Sequence, residues 1–182
     1  MTLLQAYLAT GGVLVAVGFL LAFRGEKFAR VLLSLSRSRA AAVVLWGGAL
    51  AWFVWHLLTI PEVDLAGFPR SWLLALFGGA GALAFKFLPD LLPLRGIAVL
   101  ALFSCAELLT AGYGQLPYSR ILAGTAYVVV VAALWTGASP YVLRNAFSRV
   151  SESVRFRVVA AAIFLLAGIA NLVAGIFWLP RV

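Results

Sequence analysis

The chain has 182 residues, of which 64% are hydrophobic and 11% are charged, and its formal net charge is +8. A soluble domain has roughly 45 to 50% apolar residues, so this composition excludes an ordinary soluble protein and indicates an integral membrane protein. The apolar stretches are continuous rather than alternating, which favours transmembrane helices over the strands of a membrane barrel. The single cysteine, Cys105, excludes an intramolecular disulfide.

Six apolar stretches follow one another along the chain, and most reach the roughly 20 residues that a helix needs to cross a bilayer. The first cations, Arg24 and Lys27, come after the first stretch, which is the reverse of a secretory signal peptide, so we expect this span to be retained. Residues 1–182 are predicted to form one polytopic domain, an all-α bundle of six transmembrane helices. The predicted spans are residues 3–23, 40–60, 71–88, 94–113, 119–136 and 158–179.

The cations are distributed unevenly among the connections between these spans. Most lie between spans one and two, three and four, and five and six, whereas the other connections and ends contain only Arg70, Arg120 and Arg181. The positive-inside rule assigns the cation-rich side to the cytoplasm, so both termini are expected outside. The preference for Arg over Lys, together with abundant Ala, Gly and Leu, indicates the inner membrane of a bacterium with a GC-rich genome.

Two of the cation-rich connections, residues 26–37 and 141–155, have apolar residues at helical spacing and basic residues with serines on the opposite face. This pattern predicts two amphipathic helices on the cytoplasmic face of the membrane, although each could instead extend a flanking span. Lipid contact rather than nucleic-acid binding then accounts for the net charge. The cations expected to contact anionic headgroups are Arg24, Lys27, Arg30, Arg37, Arg39, Arg144, Arg149, Arg155 and Arg157.

Glu107 places a carboxyl group inside the fourth predicted span. A charged side chain at the centre of a transmembrane helix costs at least about 2.5 kcal/mol, so Glu107 must face other helices or water, or stay protonated. Other polar side chains are predicted to lie in the outer half of the membrane, at a comparable depth. These candidates for an intramembrane polar or ion site are Ser104, Tyr7, His56, Thr125, Tyr127 and Asn171.

Two interpretations of Glu107 follow from this set. In the functional one, the carboxylate exchanges a proton or coordinates a cation together with Asn171 and Thr125, in a polar pocket that opens outward. In the structural one, a neutral carboxyl donates to Asn171 or a tyrosine and fixes the register of the helices. The structural interpretation is favoured, because burial stabilises the neutral form and proton relays usually contain several acids.

Small residues one turn apart in several spans would allow helices to approach closely. Gly168, Asn171 and Gly175 share a face of the sixth span, and the run 78–82, Gly-Gly-Ala-Gly-Ala, makes the third span unusually smooth. We therefore expect the third span to be either deeply buried or pressed against a partner protein.

No motif for catalysis, metal binding or nucleotide binding is recognisable. One Cys and one His cannot build an iron–sulfur cluster or a structural zinc site, and the Ser-nucleophile and phosphate-loop fingerprints are absent, so we expect no cofactor and no metal. The leading hypothesis is a non-catalytic accessory or scaffold subunit that binds other membrane proteins or copies of itself. The alternative is a small carrier or channel for a proton, cation or small solute, organised around Glu107. A lipid-modifying enzyme is disfavoured, because the inner face is rich in Arg rather than in Asp, Glu or His.

Overall fold

The computed structural model describes residues 1–88 and 91–178, and within them the chain is all-helical, with 87% helix and no strand. The all-α prediction is confirmed. The predicted end of the sixth span at Leu179 lies outside the described residues, as does Arg181. The helices are α1 (Leu3–Leu35), α2 (Arg39–Thr59), α3 (70–87), α4 (Leu92–Gly112), α5 (Arg120–Ala138), α6 (Pro140–Glu152) and α7 (154–178).

Five helices of the described chain, α1, α2, α4, α5 and α7, are long and apolar enough to cross a membrane. They correspond to five of the six predicted spans. The remaining predicted span corresponds to α3, which comprises Arg70–Leu73, a π-helical turn at Leu74–Gly78, and Gly79–Phe87. Helix α7 also ends in a π-helical turn, Ala174–Trp178, after its α-helical part Val154–Val173.

Of the two predicted amphipathic helices, one is part of a longer helix and the other is a helix of its own. The first is the distal part of α1, which continues the first span across a kink where Arg24 has non-helical φ −133° and ψ 22°. It is therefore an extension of a span rather than a separate helix. The second is α6, a separate helix, because Ser153 is extended and its hydroxyl accepts a hydrogen bond from Phe156 N to cap α7.

Helices α1 and α7 run antiparallel and make the most extensive contact in the bundle. Glycines spaced seven residues apart lie along this contact: Gly11 and Gly18 on α1, and Gly168 and Gly175 on α7. A Cβ atom placed on Gly11 would lie only 2.9 Å from Gly168 O, so the two backbones touch. A seven-residue repeat keeps the same faces together over two turns, as in coiled coils. We call this contact the glycine seam.

The part of α1 that follows the kink at Arg24, which we call distal α1, meets α6 at one end of the bundle. At this end α1 ends and α2 and α4 begin. Leu21 and Ala29 of α1, Val150 of α6 and Ala161 of α7 form a buried apolar cluster there. None of the cations predicted to bind headgroups is buried, and all of them lie at this arginine-rich end: Arg24, Lys27, Arg30, Arg37, Arg39, Arg144, Arg149, Arg155 and Arg157.

Helices α4 and α5 form a hairpin beside the glycine seam, and α2 packs on the other side of α4. Gly96 permits the second contact, because a Cβ there would lie 2.7 Å from Trp46 N of α2. Helix α3 is at the edge of the bundle, attached to α2 by the hydrogen bond that Trp46 Nε1 donates to Gly81 O over 2.8 Å. No atom lies within 4 Å of a Cβ built on Gly78 or Gly79, so α3 is not buried within the chain.

The glycine seam makes a testable prediction about two adjacent residues. Gly11→Ala is expected to lower the free energy of unfolding by about 1 to 3 kcal/mol, because the new methyl group would lie 2.7 Å from Leu172 Cγ and 2.9 Å from Gly168 O. Gly12→Ala is the control, since no atom lies within 4 Å of its Cβ position and Ala favours a helix over Gly. Unfolding by SDS in mixed micelles measures both, and equal effects would contradict the seam.

Candidate functional site

The polar side chains predicted to share one pocket lie in two separate places. Tyr7, Thr125 and Asn171 lie where α1, α5 and α7 meet, whereas His56 and Glu107 lie between α2 and α4. No hydrogen bond or ion pair joins the two groups among residues 1–88 and 91–178. We call the first the Asn171 group and the second the His56–Glu107 pair.

The Asn171 group is buried and joins α7 to α5. Asn171 is fully buried, and its Nδ2 donates to Thr125 Oγ1 over 2.9 Å and to Ala167 O over 2.8 Å. The Thr125 hydroxyl in turn donates to Ile121 O over 3.0 Å. Within the described chain, Asn171 Oδ1 and the hydroxyl of Thr10 are buried without a hydrogen-bond partner. Asn171 therefore pairs with Thr125 and not with Glu107.

Tyr7 connects α1 to the start of α5. It is fully buried, its hydroxyl donates to Tyr118 O over 2.7 Å, and it accepts from Leu122 N over 3.2 Å. Leu122 is in the first turn of α5, where backbone N–H groups have no partner within the helix. Tyr7 thus caps α5 from a distant helix. Gly175 of α7 leaves the room it needs, because a Cβ there would lie 2.7 Å from Tyr7 Cβ.

The His56–Glu107 pair lies near the end of the bundle opposite the arginines, one turn before the end of α2 and just over one turn before the end of α4. His56 Nε2 is 3.5 Å from Glu107 Oε1, and the two side chains are 45% and 48% exposed. In the part of the chain that the structure describes, no other hydrogen bond or ion pair engages Glu107. Its carboxyl group is therefore available to a further ligand at the protein surface.

Aromatic rings lie beside His56. The rings of His56, Trp52 of the same helix and Phe103 of α4 form a triangle, with centroids 6.2 Å apart for His56 and Trp52, 5.8 Å for His56 and Phe103, and 5.6 Å for Trp52 and Phe103. Phe53 of α2 lies 6.3 Å from the Phe103 ring and 5.5 Å from Phe77 of α3, so it bridges three helices. Three of these rings, Phe53, His56 and Phe103, line an open cavity of about 360 Å³ together with Leu57, Thr59 and Ile60.

Two of the predicted site residues join neither group. The Ser104 hydroxyl donates to Leu100 O of its own helix over 2.9 Å. Tyr127 is 60% exposed and forms no hydrogen bond to another described residue.

The sequence contains a signal for the His56–Glu107 pair in the spacing of its aromatic residues. Trp52 precedes His56 by four residues, and Phe103 precedes Glu107 by four, so each polar side chain has an aromatic neighbour on the same helix face. This repeated spacing predicts that α2 and α4 each have a face on which an aromatic side chain lies beside a polar one, and that these two faces can pack together.

Residues 1–88 and 91–178 contain no cluster of three or more His, Cys, Asp or Glu side chains that could hold a metal ion. No protein-family model, no curated protein and no solved structure matches the chain.

The cap that Tyr7 supplies to α5 is testable with matched tyrosine variants. Tyr7→Phe is expected to lower the free energy of unfolding by about 1 to 2 kcal/mol, because Tyr118 O and Leu122 N would lose their partner in a buried place. Tyr127→Phe removes the same hydroxyl at an exposed position and is expected to change stability little. Unfolding in mixed micelles compares the two variants, and a loss of equal size in Tyr127→Phe would refute the capping role.

Proposed function

We propose that the protein is a non-catalytic accessory or scaffold subunit of a larger membrane assembly, and that α3 is the helix that contacts a partner subunit. The observation that supports this proposal is the position of α3 at the edge of the bundle. It packs mainly against α2, and its remaining surface contains a row of exposed small residues, Ala75, Gly79 and Ala82, spaced by a turn or nearly so. Exposed large apolar side chains, among them Leu76 and Leu83, lie beside this row.

The chemistry of this face suits a helix better than it suits lipid. Without a hydrophobic driving force between helices in a bilayer, association depends on close packing, and Gly and Ala allow two backbones to approach. The chain already uses this device in its own glycine seam, where Gly11 and Gly168 contact each other. Helix α3 also has glycines, Gly78 and Gly79, but no atom of a neighbouring helix lies within 4 Å of a Cβ built on either of them. The partner that fits is a transmembrane helix with a small-residue face, from another membrane protein or from a second copy.

The proposal includes the placement of the chain in a membrane. In this placement α3 is the third of six spans, the arginine-rich end faces the cytoplasm of a bacterium, and both termini are outside the inner membrane. Distal α1 and α6 then lie near anionic headgroups of the inner leaflet. Exposed Trp55, Trp72 and Tyr113 at the opposite end support this placement, because such residues are enriched at a membrane interface.

Paired glycine substitutions test the association. Gly79→Leu is expected to abolish stoichiometric co-purification or self-association in mild detergent, because its side chain would fill the space that a partner backbone needs. Gly124→Leu is the control, since Gly124 is also exposed with no atom within 4 Å but lies on α5. Both variants should unfold at the wild-type SDS concentration. Native mass spectrometry reports the assembly, and a wild-type protein that is only a monomer would refute the proposal.

The second candidate function is a small carrier or channel for a proton, cation or small solute, organised around Glu107. The observation that favours it is the His56–Glu107 pair beside a cavity. Separation of Asn171 from Glu107 weighs against it, because the buried polar groups do not continue the site through the bundle.

Proteoliposomes separate the two candidates. If the protein is a carrier, wild-type vesicles will show proton or cation flux, and Glu107→Gln will reduce it at least about tenfold, which corresponds to roughly 1.4 kcal/mol of lost interaction. Glu152→Gln makes the same change at the arginine-rich end and should leave the flux intact. An entrapped pH dye and cation-selective dyes measure the flux. If the flux of protons, Na⁺ and K⁺ is no greater than in empty vesicles, the protein does not transport these ions.

A further inference from the structure

We propose that the cavity beside the His56–Glu107 pair binds an organic cation, an ammonium group attached to a small apolar body. This inference does not depend on the subunit role of the protein, since the cavity lies between α2 and α4 and the proposed partner surface is on α3. It deepens the carrier candidate by naming a ligand class, but it concerns binding and not transport.

The lining determines what kind of molecule the cavity accepts. Of its side chains, Phe53, Leu57, Ile60 and Phe103 are apolar, and His56 contributes a stacked ring. The Thr59 hydroxyl already donates to Trp55 O and His56 O, so it offers only acceptor capacity. The volume of about 360 Å³ is at the low end of the range for small-molecule sites, roughly 300 to 1,000 Å³. An apolar body of modest size therefore fits.

The ammonium group is inferred from Glu107 and the neighbouring rings. Glu107 does not line the cavity, but its Oε1 lies 3.5 Å from Nε2 of the lining residue His56. Glu107 is one turn beyond Phe103 on α4, so the carboxyl group and the Phe103 ring lie on the same face of that helix. The ring faces of Phe53 and Phe103 attract cations through their quadrupole, and an adjacent carboxylate adds direct charge attraction. Apart from the contact with His56 Nε2, no described residue bonds to Glu107. Rings and carboxylate together match a cation better than an anion or a neutral polar group.

Charges of both signs lie near the cavity. Glu62 and Asp64 are exposed in the 3₁₀ helix Glu62–Leu65, which begins two residues after the cavity residue Ile60. Arg70 donates its Nη2 to Ile60 O over 2.7 Å, so its guanidinium group also lies beside a cavity residue. The ammonium group is therefore inferred from the Glu107 carboxyl group and the aromatic rings, and not from the net charge of this end of the protein.

Benzyltrimethylammonium and neopentylbenzene provide a direct test, because they have the same shape and differ in charge. Equilibrium dialysis against the full chain in an uncharged detergent is expected to show that the cation binds about tenfold or more tightly than the neutral compound. Glu107→Gln should remove this preference, whereas Glu152→Gln should retain it. Phe103→Ala should weaken binding of both compounds, because it removes a wall of the cavity.

The outcomes that would overturn the proposal are equally specific. Equal affinity for the two compounds would show that charge is not recognised, and a preference for the cation that survives Glu107→Gln would place the recognition elsewhere. Unfolding in mixed micelles confirms that Glu107→Gln and Phe103→Ala are folded. If Phe103→Ala fails to fold, Leu57→Ala removes a different part of the lining and serves instead.

An ammonium group can come from a dissolved amine or from the headgroup of an aminophospholipid. Repeating the dialysis in nanodiscs of phosphatidylglycerol alone, and of phosphatidylethanolamine with phosphatidylglycerol, distinguishes these sources. Weaker binding in the second set identifies the lipid headgroup as the occupant, and equal binding identifies a dissolved amine. Loss of the Glu107 dependence in both sets of nanodiscs would refute the ammonium site itself.

Discussion

The backbone contact between α1 and α7 is the constraint on which the rest of the bundle depends. Side chains larger than hydrogen cannot be placed at Gly11 or Gly168 without moving atoms that lie within 3 Å, so the distance between these helices is fixed by the peptide groups themselves. In a bilayer such contacts provide dispersion attraction where the hydrophobic effect provides none. The seam thereby gives the bundle a rigid pair of helices onto which α5 and α6 pack.

The arrangement of the other helices around this pair divides the polar side chains into two sets. Tyr7 and Asn171 extend from the seam to α5 and form hydrogen bonds with Leu122 N and the Thr125 hydroxyl there. Helices α2 and α3 lie farther out, where contacts are fewer and a cavity remains between α2 and α4. The buried polar residues therefore join helices of the bundle, whereas His56 and Glu107 remain half-exposed.

The sequence predicted most of the helices, because long apolar runs and clusters of arginine give strong signals. It also placed Gly168, Asn171 and Gly175 on one buried face. It could not predict which polar groups meet, because depth along a helix is readable from sequence but rotation about its axis is not. Glu107 was thus expected beside Asn171, whereas the structure turns it toward His56. The kink at Arg24 lies directly before Gly25, but a single glycine inside a helical run does not by itself identify a kink.

The glycine seam also has a consequence for how the protein is made. Gly168 follows Gly11 by 157 residues, so ribosomes synthesising at about 5 to 20 residues per second make α1 roughly 8 to 30 s before its contact on α7 exists. Throughout that interval the glycine face of α1 is uncovered. A nascent chain stalled before α7 would expose the same surface.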